Sequence, residues 1–372
     1  MTTRSLARRT WWGAGAVALA TVLAACGGGS DSGSTEAADL DPNADLSQQS
    51  ITVSNWAGYM AEDIADQFTA KTGASMEVAE HATNEEIMAK LTAGGDAGID
   101  VAFVSGQYAQ ALNEAGLLEP ISTELVPNLA NLYPQATELS HDKGNTYSVP
   151  YTWGTTGICY RSDLMDAPPT SWNDILDPDP AYDGKITMLS TERWLALPAA
   201  KALGYSVNTT DDGELAEMKD LLISAKRHLL GYDDTTFYEK LISGEAVMTE
   251  AWDGWCGYGM AENPDIKFTV PSEGSDLWVD TMVVLKGSED KEAAMAFINM
   301  MLEPETHAWV TENVYYNVPN QAAGELVPAD LKTQFPQLDV TPEQLAEGES
   351  LIDLGQDSTK YTDLTTEVTA SS

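Results

Sequence analysis

Between residues 51 and 116 short apolar runs alternate with amphipathic ones, and this alternation limits the possible fold more than any other feature of the chain. Residues 51–54, 75–79 and 99–104 are brief, mostly apolar runs of strand length, and they predict strands. Between them, residues 61–72 place Ala61, Ile64, Ala65 and Phe68 on one helical face, which Gly73 ends. Thr83 and Glu86 have capping-box spacing, predicting a helix through Ile87, Met88 and Leu91 that Gly94 and Gly95 close. A third helix is expected over 108–115, ending at Gly116. Strands and helices at this spacing predict a parallel sheet with helices on its faces. Ligands of such sheets sit outside the carboxyl ends of the strands. The segments that follow the first and third strands, 55–59 and 105–107, are therefore candidate ligand loops.

Residues 147–158 are extended, aromatic and β-branched with Pro150 inside, which suits an edge or crossover strand. Beyond it the pattern restarts. A short helix is expected after Trp172, strands over 185–189 and 246–251, and helices over 191–204, 213–228 and 236–243. Pro198 is tolerable in the first of these only through a kink. The Gly-rich, aromatic stretch 252–258 follows, then strands over 266–270 and 277–284 and a helix over 289–302. In the last strand Trp278 and Asp280 are two residues apart and share a face. An indole face attracts an ammonium and a nearby carboxylate neutralises it, although a buried Trp beside a satisfied Asp is the plainer account of the pair alone.

The N-terminus reads as a processing signal. Arg4, Arg8 and Arg9 precede an apolar run over 13–23, and Leu23-Ala24-Ala25-Cys26 has the small residues of a lipoprotein cleavage site. Residues 1–25 are expected to be removed, leaving Cys26 to carry lipid and tether the chain to the membrane. Residues 26–49, rich in Gly, Ser and acids, are expected to be a flexible linker. About 320 residues remain, enough for two domains. The formal charge of −39, from 19 basic and 58 acidic residues, excludes nucleic acid and anionic lipid as partners. Cys159 and Cys256 could oxidise in an exported protein, but their separation alone establishes no bridge. His81, His141, His228 and His307 are scattered, so no metal site is expected.

Motifs for catalysis or cofactor binding are missing. No G-x-S-x-G elbow, Walker A loop or G-x-G-x-x-G loop occurs, and 254–259 is too bulky to cradle phosphate. Trp56, Tyr59, Trp252, Trp255, Trp278 and Tyr316 instead fall at expected strand ends or loops, where several converging would form an aromatic pocket.

In order along the chain, Asn55-Trp56-x-x-Tyr59, Phe68-x-x-x-Thr72-Gly73, Tyr147-Ser148-Val149-Pro150-Tyr151-x-Trp153-Gly154, Leu203-Gly204-Tyr205-Ser206-x-Asn208-Thr209-Thr210-Asp211, Trp278-x-Asp280 and Pro319-Asn320-x-Ala322-Ala323 resemble the periplasmic spermidine/putrescine-binding proteins of bacterial ABC transporters. The resemblance spans nearly all of the chain after residue 50. It implies a two-lobed α/β periplasmic-binding-protein fold, with crossover strands joining the lobes and ligand in the cleft between them. The lobes would be 50–156 with 281–323, and 157–280 with 324–372. It implies a monomeric, extracytoplasmic binding protein and not an enzyme, delivering a cationic amine to a permease and using no cofactor.

Carried over residue by residue, the resemblance implies ligand contacts at Trp56, Tyr59, Ser105, Trp252, Trp278, Asp280, Tyr316 and Gln356. The chain departs from the family at Gly58, where an acid is usual, at Gln107, where an aromatic is usual, and at Thr191 and Trp194, which align with two acids. Glu192 and Asp253 are near enough in sequence to compensate, and with Gln107 and Trp255 they complete the candidate site. One assured carboxylate among several aromatic faces favours fewer charges than spermidine carries. A polyamine remains the leading expectation, with γ-aminobutyrate or a quaternary ammonium compound as alternatives and a secreted hydrolase as the reading from a different class.

Overall fold

The carboxyl ends of strands from two separate sheets supply most of the cleft. In a computed structural model, residues 40–94 and 97–371 are described and belong to one compact unit. The expected signal segment, Cys26, most of the linker and Gly95 lie outside the described residues.

The first sheet contains β1 (Ser50–Asn55), β2 (Ser75–Glu80), β3 (Val101–Ser105) and β4 (Val149–Gly154). The second contains β5 (Thr156–Arg161), β6 (Ile186–Met188), β7 (Gly231–Tyr232), β8 (Met248–Trp252) and β9 (Ile266–Thr269). The chain then returns to the first sheet with β10 (Asp276–Val284) and β11 (Glu349–Ser350). The strand orders are β11-β10-β3-β1-β2, with β4 also on β10, and β7-β6-β8-β5-β9.

β1 pairs in parallel with β2 and β3, as the alternation predicts. The sheet as a whole is mixed, because β10 lies antiparallel against both β3 and β4. Hydrophobic periodicity sets which face of a strand is buried but not which neighbour it takes, so this reversal has no local signal. Its register sets Asp280 opposite both Ser105 and Thr152, and Trp278 opposite Gly154. The 147–158 run is two strands. β4 ends at Gly154, β5 begins at Thr156, and the chain changes sheets at Thr155.

Helix ends follow the expected chemistry with local differences. The helix Ile64–Thr72 stops at Gly73, whose φ of 80° lies in the left-handed region that glycine tolerates. Thr83 Oγ1 accepts the Glu86 amide, but the Glu86 carboxylate accepts the Ala82 amide, one residue before the cap, so the capping box is only half formed. The helix Glu192–Leu203 runs through Pro198 as one element. The largest difference lies over 252–258. Its glycines do not make a loop but sit in the helix Asp253–Glu262. A Cβ on Gly254 would lie 2.2 Å from the Tyr316 ring, and one on Gly257 would lie 2.7 Å from Tyr315 Cβ. The helical cost of glycine, about 1 kcal/mol each, is offset by this close approach.

Cys159 on β5 and Cys256 on that helix form a disulfide, with Cα atoms 5.8 Å apart. The bridge fixes the helix carrying Trp255 to the second sheet. It spans 97 residues of sequence, so reduction, or replacing both cysteines by Ala, should lower the unfolding free energy by about 2–5 kcal/mol. Urea denaturation with and without reductant measures this, and a loss below roughly 0.5 kcal/mol would mean that packing alone holds the helix.

Candidate functional site

Asp280 sits where the antiparallel register of β10 meets the end of β3. Its Oδ1 accepts the Ser105 hydroxyl and its Oδ2 accepts the Tyr59 hydroxyl, each at 2.7 Å. Because Tyr59 donates to Asp280, the 2.6 Å contact between Tyr59 and Thr152 has the Thr152 hydroxyl as donor. Ser105 is braced in turn by Asn84, which takes its amide N–H and donates to its Oγ, both at 3.0 Å. Burial raises the Asp280 pKa, while the bonds from Ser105 and Tyr59 oppose the rise. No Lys or Arg pairs with Asp280 among the described residues. The carboxylate is oriented but not neutralised.

Around it opens a cavity of about 420 Å³. Nine aromatic side chains line it: Trp56, Tyr59, Trp194, Tyr238, Trp252, Trp255, Tyr258, Trp278 and Tyr316. They hold one another mostly edge to face. Trp278 meets Tyr316 at 4.8 Å between centroids, Trp56 meets Tyr59 at 5.5 Å, and Trp194 meets Trp252 at 5.5 Å. Among the described residues three carboxylates line the same space, Glu85, Asp234 and Asp280, and no Lys, Arg or His does. Such a wall suits a cation with an apolar body.

Backbone strain helps to aim it. Tyr315 ends the helix Pro304–Val314 with a φ of 61°, a left-handed conformation costly for a tyrosine. Packing against Phe335 and Tyr258, at 4.5 and 5.3 Å between centroids, holds the Tyr315 ring. The turn sends Tyr316 back over Gly254 and against Trp278.

Of the residues expected from sequence, Trp56, Tyr59, Ser105, Trp252, Trp255, Trp278, Asp280 and Tyr316 line the cavity together. Gln107, Glu192, Asp253 and Gln356 are not in its lining. Gln107 is buried in the helix Gly106–Glu114, its amide Nε2 without a partner. Glu192 is half-buried beside Thr362, near the charge of Glu85, and burial raises its pKa. Asp253 is buried, accepting the Gly254 amide at 2.9 Å, and its carboxylate approaches Gly154 from the same side as the Trp278 ring. Gln356 is exposed in the turn Gly355–Asp357.

Asp234, Glu85 and Asn84 escaped sequence reasoning. Asp234 accepts the Ser190 amide at 2.8 Å and the Thr191 hydroxyl at 3.2 Å. Glu85 accepts the Tyr108 hydroxyl at 2.5 Å. Both follow the carboxyl ends of strands, β7 and β2. The two-residue β7 is too short to leave a period, and neither acid stands out among 58. With them the expectation of one carboxylate is corrected to three, so the cavity has the charge to hold a diamine or triamine.

The sequence model of the bacterial extracellular solute-binding protein family matches residues 63–332. The spermidine/putrescine-binding periplasmic protein of Escherichia coli is 29% identical over 311 residues, covering 82% of this chain and 88% of the relative. The putrescine/cadaverine-binding protein of Pseudomonas aeruginosa is 29% identical over 290 residues, covering 75% and 82%. Among solved structures, the spermidine/putrescine ABC transporter substrate-binding protein of Streptococcus pneumoniae has a TM-score of 0.74 at 28% identity, covering 86% of this chain and 98% of that one.

Acids buried behind the cavity give it a pH signature. Glu250 is 0% exposed; one carboxylate oxygen accepts the Leu189 amide at 3.1 Å and the other has no partner. Burial raises its pKa well above the usual carboxylate range. A raised pKa means that the folded state binds more protons than the unfolded one between the ordinary and raised values. Stability is therefore lost as pH rises through that window. Each pH unit of the window is worth about 1.4 kcal/mol. Glu250→Gln should be as stable as wild type near pH 4 and progressively more stable toward pH 8, as read by urea denaturation across pH. A difference independent of pH would show that Glu250 contributes by packing alone.

Proposed function

The chain belongs to the bacterial extracellular solute-binding protein family, and from that premise we propose that it captures a cationic amine, a polyamine of the putrescine or spermidine type, for an ABC importer. The observation that carries the reading is the lining of the cavity: nine aromatic side chains and three carboxylates, with no basic side chain among the described residues. An ammonium leaving water needs a charge or a hydrogen-bond acceptor, and Asp280 presents one that its own partners leave un-neutralised. The methylene chain of the ligand would lie against Trp56, Trp252, Trp278 and Tyr316, whose faces also attract the ammonium groups. Relatives named for spermidine, putrescine and cadaverine point to the same chemistry.

In this reading the two sheets are the cores of two lobes, near the division the sequence suggests, 50–156 with 281–323 and 157–280 with 324–372, except that β10 from Asp276 and β11 join the first sheet and Thr156 the second. The crossing at Thr155 is where they hinge. Closure on the ligand would present the complex to a permease, and lipid on Cys26 would keep a monomeric protein at the outer face of the cell membrane. A quaternary ammonium ligand is the second reading, favoured by the number of aromatic faces.

A thermal-shift panel of putrescine, spermidine, spermine, γ-aminobutyrate, choline and betaine separates these readings. A bound ligand at a hundredfold excess over its Kd adds about 2.7 kcal/mol of stability. Putrescine or spermidine should give the largest shift; choline alone would support the second reading, and silence from all six would end the amine hypothesis. By calorimetry, Asp280→Asn and Trp278→Ala should each weaken binding about 30-fold or more, equivalent to roughly 2 kcal/mol. Near-normal affinity in both variants would place the ligand elsewhere.

A further inference from the structure

One wall of the cavity reads charge indirectly. Trp194, in the first turn of the helix Glu192–Leu203, is 4% exposed, lines the cavity and stands edge-on to Trp252. Its indole N–H donates to Asp276 Oδ2 at 2.9 Å. Asp276 begins β10 and is 1% exposed. Its Oδ1 accepts the Thr156 amide at 2.9 Å; Ser275 Oγ lies 3.2 Å from the same oxygen but gives its proton to the Thr156 carbonyl at 2.6 Å. Both carboxyl oxygens accept an N–H bond, from Thr156 and from Trp194, which favours the ionised form, while burial pushes the pKa up. No Lys or Arg pairs with it among the described residues.

The plain account is a core indole with a satisfied N–H. A backbone carbonyl would satisfy that donor at no electrostatic cost, whereas burying an uncompensated carboxylate for the purpose is expensive. The expense acquires a use if the indole meets a cation. An anion hydrogen-bonded to the N–H edge pushes electron density into the ring, and the ring face attracts a cation through that density. Asp276 also touches the point where the chain changes sheets, through the Thr156 amide and through its own carbonyl, which accepts the Thr155 hydroxyl at 2.9 Å.

We propose that Trp194 is a specificity-determining residue whose face takes one ammonium group of the ligand, and that Asp276 is its positioning residue, orienting and polarising the indole without touching the ligand. An aromatic face, unlike a carboxylate, does not require N–H groups on the nitrogen it meets. The ligand class is therefore an amine with a primary ammonium for Asp280 and a second ammonium, alkylated or internal to the chain, for Trp194. The inference rests on the amine-binding reading of the cavity.

The test is a double-mutant cycle on putrescine and spermidine binding, by calorimetry, with Trp194→Phe, Asp276→Asn and both together. Phe keeps a ring but offers Asp276 no N–H. Trp194→Phe should weaken spermidine roughly tenfold, and Asp276→Asn roughly fivefold in the wild-type background but less than about 1.5-fold in the Trp194→Phe background. The losses for putrescine should be smaller, since its two primary ends have other carboxylates to meet. Equal fold losses from Asp276→Asn in both backgrounds would overturn the proposal, because a purely structural or hinge role for Asp276 does not depend on Trp194. Should Asp276→Asn fail to fold, Trp194→Phe and Trp194→Leu decide the matter: unchanged spermidine affinity in both overturns it, and a graded loss, larger for Leu, supports it. If the wild-type protein binds no amine at all, the reading of the cavity itself has failed, an outcome distinct from additivity in a protein that binds.

Discussion

The hydrogen bonds from Ser105 and Tyr59 hold the half-buried Asp280 carboxylate in place without a cation to neutralise it. Much of the first sheet serves that arrangement. Asp280 reaches Ser105 only because β10 enters antiparallel to β3, and it meets Thr152 only because β4 adds on the other side. Ser105 is fixed by Asn84 and Tyr59 by Thr152, so the donors are themselves immobilised before any ligand arrives. A carboxylate with two short, fixed bonds retains lone pairs for a further donor, and its unpaid desolvation is what a cation relieves. Preorganisation of this kind moves part of the cost of binding into folding.

The aromatic half of the site depends on compromises that only tertiary packing explains. Gly154 is bare because a Cβ there would lie 2.3 Å from Trp278 Cζ2. Gly254 is bare for Tyr316, and Tyr315 takes a left-handed turn so that Tyr316 can face inward. Each choice weakens its own element and strengthens a contact across elements. The disulfide acts in the same sense, since it ties the glycine-bearing helix to β5.

How far the sequence discloses the protein follows from which interactions are local. β1, β2 and β3 and the helices between them were legible, because period and glycine stops are written into contiguous residues. The pair Trp278 and Asp280 was legible as a shared face, since strand alternation settles it. The antiparallel entry of β10 was not, because two sheets differing only in strand direction have the same hydrophobic pattern. The helix Asp253–Glu262 has no local signal for a related reason: Gly254 and Gly257 answer to Tyr316 and Tyr315, some 60 residues away. Glu85 and Asp234 were illegible because acidity is the common state of this surface, and only position in space separates a wall residue from a solvated one. The resemblance to amine-binding proteins brought seven cavity residues together by alignment and the aromatic pattern added Trp255, but Gln107, Glu192, Asp253 and Gln356 show the limit of both. Proximity in sequence to a lost acid does not direct a side chain into a cavity.

The distribution of acids separates two tasks that a single carboxylate would have to combine. Asp280, Asp234 and Glu85 line the cavity, where a carboxylate can give an ammonium direction and distance. Asp253, Asp276 and Glu250 are buried outside its lining, and burial pushes the pKa of all three up, well up for Asp253 and Glu250. Where such an acid is ionised its field is weakly screened in a low-dielectric interior, so a ring in front of it attracts a cation without offering it a strong bond. A carrier must bind its cargo and also let it go. Contact carboxylates make release costly in proportion to their number, whereas charge held behind aromatic faces adds attraction that fades smoothly as water enters. On that argument the proposed cation site tolerates Trp194 where the resemblance sets a contact acid, and the change lies in how the cation is held.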